Sequence, residues 1–217
     1  MTVLAPRDAY RLWAPSYHRE TVVSILDDNL TSGLSPDCTG RRLLDAGCGI
    51  GRRLPANAFA VGVDLSEHML ATGGASRVAA ADVRSLPFAN DEFDIVWCRL
   101  VLGHLPDPAP AYAELARVCR PAGHALVTDF HADAAAAGHT RSFRDEAGIV
   151  HEVEHHVHDQ AAHVVAASGA GLMLVAQRDG VIGEAVEEFY VRAGRRAQYV
   201  RDVGLAVVAA FLFRRTD

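Results

Sequence analysis

Short apolar runs alternate with polar turns and helix-compatible segments through the middle of the chain. Five of these runs have the length of a strand, namely 42–45, 59–64, 76–81, 93–98 and 125–129. Strands that alternate with helices are joined by crossovers that cover the faces of a sheet. The pattern therefore predicts an α/β fold with a mostly parallel sheet.

The best-marked helix follows Asp107, which can cap its N-terminus while Pro108 occupies the first turn. Apolar residues recur along it at helical spacing and predict a face that packs in the core. They are Tyr112, Leu115, Ala116 and Cys119. Pro121 and Gly123 are expected to end this helix.

The pattern changes in the last third of the chain. Residues 131–159 are a mixture of Ala, Gly, His and charged residues, which we interpret as a lid or cap insertion. Residues 160–170 are expected to form a last helix. Residues 172–183 and 204–213 are expected to form two strands that close the sheet edge as a hairpin-like pair.

Composition limits the classes of protein that remain. Half of the 217 residues are apolar, enough for one well-buried α/β domain, and we expect a single domain over 1–217. A net charge of −6 disfavours nucleic acid as a partner. The four cysteines form no C-x-x-C pair, and no apolar run reaches the roughly 18 residues of a membrane span. We expect a cytoplasmic monomer or homodimer.

Arginine accounts for all 21 basic residues, so the sequence contains no lysine. Schiff-base chemistry and a lysine general base are thereby excluded. Any catalytic base must be His, Asp, Glu, Tyr or Cys.

The segment RRLLDAGCGIGR carries the clearest chemical signal. An apolar run ends at Asp45, and Gly47, Gly49 and Gly51 follow at alternate positions. This order predicts a buried strand that enters a turn free of side chains, where a ligand can lie against the backbone. A dinucleotide would place its pyrophosphate there, close to the Asp45 carboxylate, and Arg52 replaces the third glycine of G-x-G-x-x-G. S-adenosylmethionine suits the site better, because it has no phosphate and carries an ammonium and a sulfonium.

Acidic residues follow most of the predicted strands. Asp45, Asp64, Asp82 and Asp129 each lie at or just past a strand end. Ligands of open α/β sheets bind beyond the carboxyl ends of the strands. We therefore expect these four carboxylates to line one rim of the sheet.

Four segments, LLDAGCGIGR, VGVDLSEHML, AADVRSLPFANDEFDIVWC and LARVCRPAGHALV, occur in this order between Arg41 and about Asp129. As a set they resemble the successive motifs of class I S-adenosylmethionine-dependent methyltransferases, particularly the small-molecule branch that includes ubiquinone and menaquinone methyltransferases. The resemblance implies a Rossmann-like sheet, mostly parallel with an antiparallel edge strand and with helices on both faces. It also implies S-adenosylmethionine as cofactor and S-adenosylhomocysteine as product.

The resemblance assigns roles to several residues of these motifs. Asp64 would accept hydrogen bonds from the ribose hydroxyls, with helix capping near Ser66 as the alternative role. Asp82 would accept from the adenine amino group while the Val83 N–H meets a ring nitrogen; a surface Asp in a turn is the alternative. Asp45 would orient the methionine ammonium. Further expected cofactor contacts are Gly47, Cys48, Gly49, Gly51, Leu65, Met69 and Arg99.

Arg99 lies just past the fourth predicted strand, where the family's backbone carbonyl meets the methionine ammonium. For its side chain, three alternatives stay open. It can pair with Asp82, pair with Asp94, or face the substrate.

His104 is the first candidate for a general base. An imidazole with an ordinary pKa near 6.5 suits proton transfer near neutral pH, and His104 follows the fourth strand on the expected rim. Hydrogen bonding to a neighbouring loop is its alternative role. His131, two residues past Asp129, is the second candidate.

Aromatic residues concentrate near the N-terminus, where related methyltransferases have a flap over the cofactor. We therefore expect a flap over about residues 1–35, with Trp13 either in the flap or as an anchor on the sheet. The candidate contacts to the acceptor are Tyr10, Tyr17, Arg141, Phe143 and Tyr190.

The segment HEVEHHVH, residues 151–158, contains four imidazoles and two glutamates. On a strand, its histidines would divide between the two faces and give no accepted metal-ligand spacing. A solvated strand or lid is the favoured interpretation, and no metal is expected.

Together these observations predict a transferase that moves a methyl group from S-adenosylmethionine to an O, N or C nucleophile of a small molecule by in-line displacement. The alternative is a methyltransferase-fold protein that binds the cofactor without methyl transfer, as a partner subunit or as a catalyst of cyclisation or rearrangement. Asp45 and Arg52 disfavour a dehydrogenase. The sequence lacks the N/D-P-P-Y/F motif and the Pro-Cys loop of nucleic-acid methyltransferases.

Overall fold

The computed structural model describes residues 2–216, so Met1 and Asp217, the two ends of the predicted domain, lie outside the described residues. In chain order the elements are β1 (Thr2–Leu4), α1 (Pro6–Trp13), α2 (Val22–Leu34), β2 (Arg42–Ala46), β3 (Phe59–Asp64), α3 (Glu67–Gly73), β4 (Val78–Ala80), β5 (Phe93–Arg99), α4 (Ala109–Val118), β6 (Cys119–Phe130), α5 (Ala132–Ala136), β7 (Ser142–Arg144), β8 (Val150–Val153), α6 (Gln160–Gly169), β9 (Leu172–Val181), α7 (Glu184–Arg192), α8 (Arg196–Asp202) and β10 (Ala206–Arg215). Short 3-10 helices cover Ala14–Ser16 and Leu102–His104.

The main sheet has seven strands in the order β4-β3-β2-β5-β6-β10-β9. The first five are parallel to one another, and β10 is antiparallel to both of its neighbours. This confirms the predicted mostly parallel sheet. The antiparallel strand lies one place in from the edge, because β9 occupies the outer position and α7 and α8 separate the two strands in the chain.

The predicted elements differ from the observed ones mainly at their ends. The strand expected over 76–81 is shorter, and the strand expected over 125–129 begins already at Cys119. Pro121 and Gly123 were expected to end the preceding helix, but they lie within β6, since that helix already ends at Val118. Asp107 supports the start of α4, where its Oδ1 accepts from the Ala109 N–H at 2.9 Å.

Alternating side chains of the central strands feed two hydrophobic cores. Leu43 and Leu126 pack in one core with residues of α2 and α7. Leu44 and Val127 pack in the other with residues of α4 and α6. Because successive side chains of a strand point to opposite faces, this apolar pattern places helices on both sides of the sheet.

A second sheet contains three short strands in the order β1-β8-β7, with β1 parallel to β8 and β7 antiparallel to it. The segment 131–159, interpreted as a cap insertion, thus contains α5, β7 and β8 and combines with the N-terminal strand. The expected flap over 1–35 is divided, since α2 packs on the main sheet. We call residues 2–17 and 139–158 the cap. No helix within residues 2–216 is long and apolar enough to cross a membrane.

Candidate functional site

A cavity of about 310 Å³ lies at the carboxyl ends of β2, β3 and β5 and is also lined by α1 of the cap. It brings together most of the residues that the sequence singled out. Those among its lining are Tyr10, Tyr17, Gly47, Gly49, Asp64, Leu65, Met69, Asp82, Val83, Arg99 and His104.

The turn after β2 has to be free of side chains. Gly47, Gly49 and Gly51 have φ angles of 90°, 57° and 70°, in the left-handed region that favours glycine. A Cβ atom on Gly47 would lie 2.1 Å from Cγ2 of Val101, and one on Gly49 would lie 3.2 Å from Cε of Met69. Gly47 and Gly49 therefore leave backbone accessible to a ligand in the cavity, whereas Gly51 does not line it.

Cys48 does not line the cavity either. A Cβ atom on Gly62 would lie 2.6 Å from the Cys48 Sγ, so this thiol packs directly onto the backbone of β3. Burial raises the pKa of Cys48 above its usual value. The side chain of Cys48 thus holds the glycine turn against β3, and its predicted cofactor contact remains a prediction for the backbone.

Asp64 connects the end of β3 to the glycine turn. Its Oδ2 accepts from the Gly49 N–H at 2.7 Å, and its Oδ1 accepts from the Ser66 N–H at 2.8 Å. Burial raises the pKa of Asp64, while these two hydrogen bonds lower it. Each carboxylate oxygen can accept more than one hydrogen bond, so Asp64 keeps the capacity to bind two hydroxyls.

Asp82 forms an ion pair with Arg84, a residue that the sequence interpretation did not single out. Arg84 donates to it from Nε at 3.0 Å and from Nη2 at 2.6 Å. The hydrogen bond from this guanidinium lowers the pKa of Asp82. Asp82 is therefore ionised at the cavity wall, where it remains an acceptor.

Asp45 lies beside the glycine turn and is 2% exposed. Its Oδ1 is buried without a hydrogen-bond partner. Burial raises the pKa of Asp45 to about 6, and the positive charge of Arg99 opposes this rise. A buried carboxylate oxygen that lacks a donor fits a cationic or hydrogen-bond-donating ligand group.

Arg99 has none of the side-chain partners expected from the sequence. Its Nη2 donates to Oδ2 of Asp27 at 2.6 Å and also to Asp28, both on α2. Asp94 instead pairs with Arg120, at 2.5 Å. The reason is strand alternation, which directs Arg99 to the same face of β5 as Trp97, whose neighbours include α2.

The predicted rim of four carboxylates is correct only in part. Asp64 and Asp82 line the cavity, whereas Asp45 and Asp129 are almost fully buried and do not line it. The Asp129 carboxylate faces two imidazoles, with His155 Nε2 at 3.6 Å and His163 Nε2 at 3.5 Å. Asp129 has the same strand parity as Val127, so its side chain points to the face covered by α4 and α6.

Tyr10 and His104 form a hydrogen-bonded pair in the cavity wall. The Tyr10 Oη and His104 Nε2 are 2.9 Å apart, and His104 Nδ1 is 3.3 Å from the carbonyl oxygen of Glu154. Nδ1 therefore carries the proton and donates to Glu154, while Nε2 accepts from Tyr10. Burial, together with the smaller effect of the positive charge of Arg141, lowers the pKa of His104 to about 3. The pKa near 6.5 expected from the sequence is thus wrong, and His104 is neutral near pH 7.

The remaining candidates lie outside this cavity. His131 caps α5, since its Nδ1 accepts from the Asp133 N–H at 3.0 Å. Tyr190 is 4% exposed in the core that also contains α2. Phe143 stacks on Trp13 with ring centroids 4.8 Å apart, which makes Trp13 an anchor within the cap. Arg141 lines a second cavity nearby. The catalytic and acceptor-binding roles expected of these residues stay predictions.

The histidines of 151–158 are distributed among separate partners. His151 is 2.8 Å from Asp145, and His158 donates to the Leu105 carbonyl at 2.9 Å. In the part of the chain that the structure describes, no three His, Cys, Asp or Glu side chains are grouped to hold a metal ion.

Sequence interpretation also missed Leu100 and Val101, which line the cavity just after β5. Leu100 has a φ of 59°, a left-handed conformation uncommon for a side chain of this size. Only the structure shows this conformation, because position 100 is occupied by neither Gly nor Asn, the residues that would indicate it.

Comparison with known proteins agrees with this geometry. Residues 44–127 match the family described as "Methyltransferase domain". The chain is 32% identical over 145 residues to 27-O-demethylrifamycin SV methyltransferase of Amycolatopsis mediterranei, covering 55% of this chain and 53% of that protein. It is 38% identical over 104 residues to demethylmenaquinone methyltransferase of Mycolicibacterium paratuberculosis, covering 45% and 44%. The chain thus spans about half the length of these relatives.

A solved structure extends the likeness to the whole fold. An S-adenosylmethionine-dependent methyltransferase from Mesorhizobium loti superposes with a TM-score of 0.64 at 19% identity, covering 90% of this chain and 98% of that chain. The matched segment, residues 44–127, contains the glycine turn, Asp64, Asp82 and His104. Residues 44–127 therefore match a methyltransferase domain, and the chain shares its fold with the S-adenosylmethionine-dependent methyltransferase from Mesorhizobium loti.

Proposed function

We propose that this protein binds S-adenosylmethionine in the main cavity and transfers its methyl group to a small-molecule acceptor held beside Tyr10 and His104. One observation carries the proposal. A single cavity joins the glycine turn, Asp64 and Asp82 to the hydrogen-bonded pair of Tyr10 and His104.

The residues of the cavity fit this cofactor. The glycine turn admits a ligand against its backbone, and Asp64 can accept from two vicinal hydroxyls. Met69 is buried and Leu65 exposed, and both offer apolar surface to a flat base. Asp45 does not line the cavity, but it directly precedes the glycine turn, and its unpartnered Oδ1 supplies an acceptor for the methionine ammonium.

When bound, S-adenosylmethionine supplies a methyl group on a sulfonium, so the protein has to align the acceptor and exclude water. We infer that an acceptor hydroxyl donates a hydrogen bond to the Tyr10 oxygen. Its proton can then pass through Tyr10 to Nε2 of His104, which the Glu154 carbonyl holds in the accepting tautomer. Tyr10 is the catalytic residue that touches substrate, and His104 acts through it.

Cofactor binding is tested first, by calorimetry with S-adenosylhomocysteine. Asp64→Asn is expected to weaken binding by about tenfold or more, because charge-assisted hydrogen bonds contribute about 1.5–3 kcal/mol. Glu67→Gln makes the same change in charge at an exposed position that does not line the cavity, and should bind as the unmodified protein does. Equal affinities of all three proteins would contradict the ribose assignment, and binding of NADH but not of S-adenosylhomocysteine would overturn the proposed function.

Transfer is tested by measuring S-adenosylhomocysteine formation with a panel of phenolic, enolic and amine acceptors. Tyr10→Phe and His104→Gln should lower kcat by about 10² or more while cofactor affinity changes little. Tight cofactor binding without turnover of any acceptor would favour the alternative, a cofactor-binding protein that does not transfer methyl groups.

A further inference from the structure

A second cavity, of about 80 Å³, adjoins the main one. Tyr17 and Leu100 line both cavities, so the two are neighbours across these side chains. The second cavity has Arg19, Arg52, Arg53 and Arg141 as the charged residues of its lining. It therefore includes four arginines and, within the described residues, no Asp or Glu.

Arg141 is the deepest of these arginines, at 7% exposure. Its Nη1 is buried without a hydrogen-bond partner, and no carboxylate of residues 2–216 lies within ion-pair distance of its guanidinium. Burying an unpaired guanidinium costs free energy, which a bound anion would offset. The cap thus presents a buried cation that has Tyr10 as a polar neighbour but no carboxylate partner among the described residues.

The other arginines add to the positive charge of the second cavity. Arg53 is compensated by Asp28, 2.6 Å from its Nε. Arg52 donates to the carbonyl oxygen of His18 at 2.9 Å, which leaves its charge uncompensated. Arg19 and Arg52 are exposed, whereas Arg141 is buried. The positive charge accordingly extends from the surface to the buried end, where an anion would meet Arg141.

Building on the proposed function, we propose that the second cavity binds an anionic group of the acceptor, a carboxylate or phosphate, with Arg141 as its principal partner. The position of Arg141 favours the acceptor as the source of this anion. Its charge acts on both Tyr10 and His104, the pair at which transfer is proposed. Asp64 and Asp82, the predicted cofactor ligands, line only the main cavity.

An anion at this subsite would also change the basicity of His104, the proposed proton acceptor. The positive charge of Arg141 is one cause of the lowered pKa of His104, after burial. An anionic group beside Arg141 would oppose that effect and make His104 a stronger base once the acceptor is in place.

Trp13 lines the second cavity and provides a fluorescence signal for a titration with inorganic phosphate, compared with chloride at equal ionic strength. Saturable phosphate binding is expected, weakened by about tenfold or more in Arg141→Gln. Arg144→Gln is the matched control, an exposed arginine three positions further along the cap, and should bind phosphate as before. Equal phosphate affinities in the two variants would overturn the proposal.

Arg141→Lys keeps the charge and is expected to retain more phosphate affinity than Arg141→Gln. Because Arg141→Gln removes a buried charge that has no carboxylate partner, its melting temperature should equal or exceed that of the unmodified protein. Weaker phosphate binding by this variant would then reflect loss of the subsite and not loss of the fold. If Arg141→Lys binds phosphate no better than Arg141→Gln, the anion subsite is refuted.

The cofactor carries a carboxylate of its own, so calorimetry with S-adenosylhomocysteine and with 5′-methylthioadenosine, which lacks that group, separates the two sources. The proposal expects Arg141→Gln to bind both nucleosides as before. Weakening for S-adenosylhomocysteine alone would assign the anion to the cofactor and overturn the acceptor subsite. Phosphate binding does not require a methyl donor. Failure of the unmodified protein to bind S-adenosylhomocysteine would therefore contradict the proposed function, whereas the phosphate titration tests the anion subsite.

Discussion

Burial sets the charge states of individual side chains around the main cavity. It raises the pKa of Asp45 to about 6 and lowers the pKa of His104 to about 3. Both shifts favour the neutral form, which is the form that costs least to bury. A cationic ligand group beside Asp45 would favour its ionised form instead.

Asp45 therefore gives cofactor binding a predictable pH dependence. In the proposed complex the ammonium binds the carboxylate form of Asp45, so affinity for S-adenosylhomocysteine should rise from about pH 5 to about pH 7 as Asp45 loses its proton. Asp45→Asn should bind more weakly and lose this rise, as calorimetry at several pH values would show. Asp133→Asn, at a position 70% exposed, is the control. The same pH dependence in Asp45→Asn as in the unmodified protein would refute the assignment.

At the scale of elements, α2 is attached to the sheet through polar side chains that lie beneath the site. Asp27, which is fully buried, accepts from Arg99 of β5 at 2.6 Å and from the Thr128 hydroxyl of β6 at 2.6 Å. These contacts join one helix to two strands. Loss of Asp27 would leave the buried Arg99 with only the half-exposed Asp28, and loss of Arg99 would leave Asp27 with only Arg53, at 3.7 Å.

Asp27→Asn should accordingly destabilise the fold by about 3–5 kcal/mol, because the buried Arg99 loses most of its compensating charge. Asp28→Asn is the control, since Asp28 also contacts Arg99 but its side chain is 49% exposed, and it should cost about 1 kcal/mol or less. Urea denaturation followed by circular dichroism measures both. Equal losses of unfolding free energy in the two variants would show that burial of the Asp27–Arg99 pair does not determine its contribution to stability.

The cap has a small core of its own, in which Phe143 packs against Ala9, Val153 and Trp13. Phe143→Ala should cost about 3–5 kcal/mol locally, enough to open the cap while the main sheet stays folded. Hydrogen exchange should quicken in residues 2–17 and 139–158 and remain unchanged in β2, β5 and β6. Phe189→Ala on α7 is the control and should leave exchange in the cap unaltered. A uniform increase across the chain would contradict an independently opening cap.

On the scale of the whole molecule, the proposed site lies where the cap meets the main sheet. Packing of the cap and the sheet buries ionisable groups, among them His104 and Asp45. The folded-state pKa of His104 lies below its unfolded value near 6.5, so the unfolded chain binds the proton more readily below that pH. Asp45 acts in the opposite direction, because its raised pKa favours the folded state as pH falls from about 6 towards 4.

His104→Asn isolates the contribution of this histidine. For the unmodified protein, the His104 contribution to stability is present above about pH 6.5 and is lost progressively as pH falls towards 3. The variant should therefore lose less melting temperature between about pH 6.5 and about pH 4, as calorimetric scans would show. His68→Asn, at an exposed position, should follow the unmodified protein. Parallel curves for all three proteins would show that His104 is not buried in its neutral form.

The five parallel strands between residues 42 and 130, the glycine turn and the position of Asp64 and Asp82 after their strands could be predicted from the sequence, whereas α7 and α8 and the strands of the second sheet were not predicted. These features depend on local patterns, such as apolar periodicity, glycine at positions of positive φ, and an acid at a strand end. Proteins that contain the same sequence motifs share these structural features, because the same local patterns produce them. That is why the parallel sheet, and the cavity wall that contains the glycine turn, Asp64 and Asp82, were predicted from the sequence.

Only the tertiary structure decided which side chains meet. Tyr10 and His104 are 94 positions apart in the chain, and Asp27 and Arg99 are 72 apart. Asp129 turned away from the rim because one position along a strand reverses the face that a side chain occupies. Arg141 became a buried, unpaired cation only when the cap folded onto the first residues of the chain. Such contacts depend on how distant elements pack, which no local pattern of residues determines.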